Sequence, residues 1–378
     1  MNNSVQTKEG ALILDSHKLG YHVDRVLAWE AGERIAPISV DMALTRSCGA
    51  MCSFCYAMMQ EPQERASIRT QHALDLLDDF AEIGVKGVSL ISDGESTLSK
   101  AYVPFIQHAH KVGIDVGNAT NGWEWEPEKI EQVLPYLSWV RFTVAAGRPE
   151  SYSRIMFKGP EHTHVFDRAM KHIKYAVDLK KRNNLKVTLG IQMVLMPEFK
   201  DEILDFAKLA LDLGVDYGVI KHCSDDEYHT LGVDYSKYGE MHSLLEQAEN
   251  MSTEDTKIIV KWEKIKDSKS TYKRFYGPAF LLQISGSGLV APSGMFFNAR
   301  YSKFHIGNFT EKRFKDIWNS DTYWRVMNYL ASKDFDAQTM MGTLPIQYYV
   351  STALDNHVKG IRRIERPDGP DPLHVNFL

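Results

Sequence analysis

Residues 45–56 read Thr-Arg-Ser-Cys-Gly-Ala-Met-Cys-Ser-Phe-Cys-Tyr, which sets Cys48, Cys52 and Cys55 at CxxxCxxC spacing. Three such thiolates can hold three irons of a [4Fe–4S] cube, a cluster that ordinarily takes four protein thiolates. The fourth iron then keeps an open position for a ligand that is not protein. Other uses of three thiols fit less well. A structural zinc site pairs two CxxC units, or one with two histidines, to reach four ligands. Nothing close to Cys55 supplies the fourth, and Cys223 is distant in sequence. A disulfide framework suits small secreted chains, and 378 residues is not small. Inert buried thiols would not need this clustering.

Something must hold that loop in place, and strand and helix signals alternate from about residue 38 onward. Residues 37–44 read as a strand feeding the cysteine loop. Residues 71–83 read as a helix with Leu74, Leu77 and Phe80 on one face and Gly84 at its end. Further strands are predicted at 88–91, 114–119, 139–145, 187–195 and 217–220, with helices at 102–112, 166–181 and 201–213. Repeated βα units predict parallel strands, right-handed crossovers and outer helices. Six units fit a partial (β/α)6 barrel, the one implied by the family that the cysteine motif resembles, better than a complete eight-strand barrel. The loops after the strands' C-terminal ends then carry the chemistry. The expected division is an N-terminal extension at 1–35, a core barrel at 36–235 and a smaller α+β module at 236–378, where the rhythm fades.

Composition narrows the partners. With 44% hydrophobic and 25% charged residues the chain has ordinary globular usage and enough apolar material for a core. A formal charge of −5 argues against a nucleic-acid surface, which usually carries a basic face. No apolar signal segment opens the sequence and no stretch has the length of a membrane span. Clustered cysteines fit a reducing compartment, so a cytoplasmic location is expected.

The cysteine motif, with Phe54 as the aromatic residue before its last cysteine, resembles that of the radical S-adenosylmethionine (radical SAM) superfamily. The resemblance implies one [4Fe–4S] cluster on Cys48, Cys52 and Cys55. SAM would chelate the open iron and be cleaved reductively to a 5′-deoxyadenosyl radical, with a reductant such as flavodoxin or ferredoxin. Other segments extend the likeness. Ser92-Asp-Gly-Glu95, after the second core strand, is similar to the family's Gly-Gly-Glu segment, which implies that Asp93, Gly94 and Glu95 hold the methionine end. Asn121 lies in a Thr-Asn-Gly segment after the third strand. Arg141 and Thr143 are two apart on the fourth strand and so share a face; Thr143 matches a ribose- or methionine-contacting position. Arg154 matches an arginine that can pair with the SAM carboxylate, and Gln192 could reach adenosine. Each of these segments also has an ordinary use as a turn or a structural polar residue.

Residues 221–227, Lys-His-Cys-Ser-Asp-Asp-Glu, follow the sixth core strand and are assigned to substrate and radical handling. A thiol S–H bond is weaker than most C–H bonds, so Cys223 could return a hydrogen atom to a substrate radical; its other reading is a small buried hydrophobe. Tyr276-Gly-Pro, Gly288 to Gly294, Ile306-Gly-Asn and Phe314 to Trp318 resemble the SPASM extension of radical SAM enzymes. That extension normally binds auxiliary clusters, yet residues 236–378 contain no cysteine and Ser293 stands where a Pro-Cys pair is usual. The implied module is SPASM-like without auxiliary clusters, which points to a redox-neutral outcome such as epimerisation, rearrangement or elimination. The expected substrate is a small polar molecule, a sugar or nucleotide sugar. The alternatives are a peptide-modifying radical SAM enzyme and a non-catalytic iron–sulfur protein for electron transfer or sensing.

Overall fold

The computed structural model describes residues 4–59, 66–266, 269–342 and 344–378. A hairpin of β1 (Ser4–Thr7) and β2 (Gly10–Ile13) and a helix α1 (Val23–Glu30) lead into β3 (Ser39–Met42). Then come α2 (Thr70–Ile83), β4 (Gly87–Leu90), α3 (Tyr102–Lys111), β5 (Asp115–Thr120), α4 (Pro127–Val133) and β6 (Trp139–Thr143). Next are α5 (Pro149–Phe157), α6 (Thr163–Asn183), β7 (Thr188–Leu195), α7 (Ile203–Leu213) and β8 (Tyr217–His222). The later elements are α8 (His242–Asn250), β9 (Lys257–Val260), α9 (Trp262–Lys266), β10 (Leu281–Ile284), β11 (Leu289–Ala291) and β12 (Gly307–Asn308). Four helices close the order: α10 (Phe314–Trp318), α11 (Asp321–Ala331), α12 (Ala337–Met340) and α13 (Tyr348–Val358).

Strands β3 to β8 lie side by side in chain order and all pair in parallel, so the mixed α/β fold and its six-strand core are as expected. Strands from beyond residue 236 join both edges of that core. β9 pairs in parallel with β8, and β10 returns to the opposite edge and pairs in parallel with β3. β11 and β12 extend that edge antiparallel, giving ten strands in one sheet. The βα rhythm thus runs one unit further than the sequence suggests, through α8 into β9. The four-residue β9 is too short to announce itself by period.

The strands alternate faces with period two. Val40 and Met42 of β3, and Val140 and Phe142 of β6, are buried in the apolar layer beneath the helices. Asp41, Trp139, Arg141 and Thr143 on the same strands face a cavity inside the curve of the sheet. The helices supply matching stripes: Ala73, Leu76, Leu77 and Phe80 of α2, and Ile203, Phe206, Ala207 and Ala210 of α7, are buried at i, i+3, i+4, i+7 spacing. Burying a side chain of Leu or Phe size is worth about 1.5–3 kcal/mol.

The N-terminal ends of the strands are covered by residues 372–378. Phe377 meets Trp139 edge to face at 5.6 Å. His374 Nε2 is 2.8 Å from Thr188 Oγ1, and Asn376 donates to Asp115 Oδ2 at 2.8 Å. The buried Lys18 donates to the carbonyls of His374 and Phe377 at 2.9 and 2.7 Å.

Candidate active site

The cysteine loop leaves β3 and is tied to three other loops. Met51 N–H and Ser53 N–H donate to the carbonyls of Met156 and Ile155 at the end of α5, each at 2.9 Å. Gly49 N–H donates to Glu124 Oε2 at 3.4 Å, and Cys55 N–H donates to Cys52 O at 3.1 Å, which curls the loop. From the β4 side, Glu95 N–H donates to Ser47 O at 2.9 Å. Gly94 lies against the same loop: a Cβ there would sit 1.9 Å from Thr45 O, so no side chain fits.

Cys48, Cys52 and Cys55 all open onto one cavity of about 350 Å³, together with Phe54, Gly94, Glu95, Asn121, Thr143 and Gln192. Burial, followed by the nearness of Cys55 and Cys48, holds the Cys52 thiol above its ordinary pKa, so iron binding there must displace protons. Among the described residues no three His, Cys, Asp or Glu side chains converge on a point that could hold a single metal ion. Three thiols on one cavity are a donor set that can hold three irons of a cube and leave the fourth open. The rest of the cavity suits a polar cofactor: Gln192 is 5% exposed and its Oε1 has no hydrogen-bond partner.

Glu95 is the hinge pin of this wall. Its Oε1 accepts from Thr97 N–H at 3.2 Å and Thr97 Oγ1–H at 2.7 Å, and its Oε2 accepts from Asn121 N–H at 2.8 Å. One buried carboxylate therefore joins the loop after β4 to the loop after β5. Burial nonetheless pushes its pKa up to about 7, against the pull of those donors. Asn121 continues the chain of contacts by donating to Glu124 Oε2 at 2.5 Å and accepting from Glu124 N–H at 3.2 Å.

Three of the residues singled out in the sequence lie elsewhere. Asp93 is buried, but its carboxylate turns to the β10–β11 turn. It accepts from Ser285 Oγ–H at 2.6 Å and Gly286 N–H at 2.8 Å and pairs with Arg46 at 3.1 Å. Arg154 is exposed on α5 and does not line the cavity. Cys223 is fully buried in the apolar core, with Sγ 3.9 Å from Phe54 O and 3.7 Å from Ser224 O, and it too is off the cavity wall. Conversely, Asp41, Tyr56, Lys18, Lys261 and Lys264 line the cavity without having been flagged. Only the position of Asp41 inside an otherwise apolar strand offered a signal.

Residues 42–210 match the family model described as the Radical SAM superfamily. The sporulation killing factor maturation protein SkfB of Bacillus subtilis is 26% identical over 180 residues, 47% of this chain and 40% of that protein. A PqqA peptide cyclase of Rhodopseudomonas palustris is 28% identical over 184 residues, 48% of this chain and 45% of that protein. The chain thus matches less than half the length of these relatives. In three dimensions, SuiB of Streptococcus suis, crystallised with S-adenosylmethionine, superposes with a TM-score of 0.61 at 15% identity. The superposition covers 82% of this chain and 72% of SuiB. A second SuiB structure, also at 0.61, holds its precursor peptide SuiA and is covered to 71%, with 81% of this chain. These relatives correct one expectation: a cyclase named for its peptide and an enzyme crystallised with a precursor peptide overturn the sugar or nucleotide-sugar reading of the substrate. No described helix is long and apolar enough to cross a membrane. The cysteine loop, the parallel βα core and the family match agree: residues 42–210 of this chain are a radical SAM domain, the catalytic domain of a superfamily of enzymes whose cofactors are a [4Fe–4S] cluster and SAM.

Proposed function

We propose that this protein is a radical SAM enzyme that modifies a ribosomally made peptide in the cytoplasm, with electrons from a flavodoxin or ferredoxin. The observation that carries the reading is the peptide chemistry of its relatives, joined to a single cavity onto which all three cysteines open. Cys48, Cys52 and Cys55 would hold the cluster, and Gly94, Glu95, Asn121, Thr143 and Gln192 would hold SAM. Held together in this cavity, the cluster and SAM would supply the one-electron chemistry that activates a carbon–hydrogen bond.

The chain's own share is to hold and to shield. Glu95 fixes two loops in one relative position, and Phe54, Ile91, Met156 and Val194 line the cavity with apolar surface that keeps water from a reactive site. Residues 236–378, which hold no cysteine, are read as a SPASM-like module without auxiliary clusters. Reconstituted protein should then carry about four irons per chain; about eight, with two clusters seen by spectroscopy, would refute that part.

The test of the activity is anaerobic turnover with SAM and reductant against precursor peptides and, in parallel, nucleotide sugars. Release of 5′-deoxyadenosine should rise with a peptide, and that peptide should change mass. Stimulation by sugars alone would overturn the reading, and no SAM cleavage under any condition would favour the non-catalytic cluster protein.

A further inference from the structure

Five cationic side chains, Lys18, Arg141, Lys221, Lys261 and Lys264, line the same cavity as the cysteines. Topology brings them together. Arg141 is on β6, Lys221 is on β8, and Lys261 follows β9, held beside β8 by its N–H bond to Ile220 O at 2.9 Å. Lys264 lies on α9, and Lys18 enters from the N-terminal segment.

Buried cations ordinarily pair with carboxylates, and these do not. None of the five forms an ion pair with a described residue. Lys18 donates to two main-chain carbonyls, and Lys264 to Pro345 O at 3.1 Å. Lys261 and Lys264 lie over the Tyr349 ring at 5.5 and 5.4 Å. Arg141 Nε is buried without a partner. No described residue accepts a hydrogen bond from the ammonium group of Lys221 or Lys261.

Two acids are near enough to be felt. Asp15 acts on Lys261 and Lys264, but its carboxylate already accepts from Tyr349 Oη–H at 2.6 Å and Glu263 N–H at 3.3 Å. Asp41 acts on Lys221, and burial pushes its own pKa up to about 7, so its charge is only partly formed at neutral pH. Burial lowers all four lysines, Lys18 and Lys261 to about 7, so near neutral pH they carry part of their charge beside Arg141. The acids around them are largely spent: Asp15 is engaged, Asp41 is half neutral, and Glu95, which also lines the cavity, is tied to Thr97 and Asn121.

We infer that the β8–β9 wall of the cavity is a subsite for a carboxylate carried by the substrate, an Asp or Glu side chain of the peptide close to the carbon that reacts. The inference rests on the peptide reading above. Of the residues expected to hold SAM, Gly94, Glu95 and Asn121 are on the loops after β4 and β5, Thr143 is on β6 and Gln192 on β7. Lys221 on β8 and Lys261 after β9 therefore lie beyond them in the sheet order and are left for a second molecule. Burial and the neighbouring Arg141 lower Lys221 to about 8 and Lys261 to about 7. An arriving carboxylate reverses that repulsion, so its binding draws protons from the buffer near pH 8.

The test uses cluster-loaded protein under anaerobic conditions and isothermal titration with glutarate, the neutral isostere glutaramide, inorganic phosphate and SAM. Glutarate should bind at least about ten-fold tighter than glutaramide, a difference of about 1.4 kcal/mol. Its heat at pH 8 should vary with the ionisation enthalpy of the buffer. Lys261→Gln and the double variant Lys221→Met/Lys261→Met should lose glutarate binding about ten-fold or more, while Lys261→Arg retains it and SAM binding is unchanged in all. Equal binding of glutarate and glutaramide overturns the subsite, as does full glutarate binding by a correctly folded Lys261→Gln. Parallel loss of SAM binding would give the cations to SAM, and phosphate binding tighter than glutarate would give them to a phosphate-bearing ligand; either overturns the assignment. Because no turnover is involved, glutarate binding can succeed while every peptide fails as substrate, which separates this inference from the peptide reading.

Discussion

On the wall that carries the cysteines, the polar groups of one loop are answered by another. Glu95 takes three donors from two loops, Asn121 and Glu124 bond each other twice, and Gly49 and Ser53 reach Glu124 and Ile155. On the opposite wall, Lys221 and Lys261 face Arg141 and each other, and the acids near them are the half-neutral Asp41 and an Asp15 already bonded to Tyr349. The first wall is complete as it stands and can wait for a cluster with its geometry already set. The second is electrostatically incomplete, held in shape by packing and by bonds of Lys18, Lys264 and Asp15 to the chain around them. A site with one finished wall and one unfinished wall binds its permanent cofactor by preorganisation and its transient ligand by neutralisation.

The sharpest way to break the contrast is to remove a thiol. Ala at Cys48, Cys52 or Cys55 should abolish iron loading and SAM cleavage together, read by iron analysis and 5′-deoxyadenosine release; a triple-Ala protein that keeps a full cluster would sink the assignment. Gly94→Ala comes next. Its Cβ meets the Thr45 carbonyl, so the cysteine loop must move, at a cost of about 3 kcal/mol. Urea unfolding should show the loss, and iron retention should fall with it.

Glu95→Ala leaves the Thr97 and Asn121 donors buried without an acceptor and should cost about 2 kcal/mol, with weaker SAM binding and the cluster retained. Unchanged stability would mean that water replaces the carboxylate and the wall is not finished after all.

The smallest effect sharpens the other side. Lys261 has its pKa lowered from 10.5 to about 7. Between those values the unfolded chain keeps a proton that the folded chain has released, so the lysine's contribution to stability grows as pH rises from about 7 towards 10.5. Lys261→Met should flatten the rise in unfolding free energy over pH 7–10 by at most about 1.4 kcal/mol per pH unit. An unaltered slope in the variant would show that the folded protein carries this lysine normally charged.

The two walls also differ in how far the sequence discloses them. Cys48, Cys52 and Cys55 lie within eight residues, and their spacing alone carries their chemistry. The Gly94–Glu95 segment is readable because it follows a recognisable strand, though the sequence cannot show that Asp93 turns its side chain to Ser285, nearly two hundred positions away. The six core strands follow from period and spacing. β10 does not, since its pairing with β3 joins segments too distant for any local pattern to link. Lys18, Lys261 and Lys264 were invisible for the same reason: a lone lysine is ordinarily a solvated side chain, and only the tertiary fold turns these inward. Arg154 failed in the opposite sense, matching a motif position yet standing exposed on α5. Cys223 sits where the strand order placed it, at the end of β8, but its thiol meets the Phe54 carbonyl rather than the cavity.

The cover over the lower ends of β5, β6 and β7 has a consequence for biosynthesis. Phe377, His374 and Asn376 close strands that were made far earlier, and Lys18 bonds to the Phe377 carbonyl 359 positions on. While the chain leaves the ribosome, the sheet stands with its floor missing and Trp139 uncovered until residues 372–378 arrive. During that interval the nascent enzyme offers chaperones an apolar opening, and the floor of this domain forms only once residues 372–378 have been made.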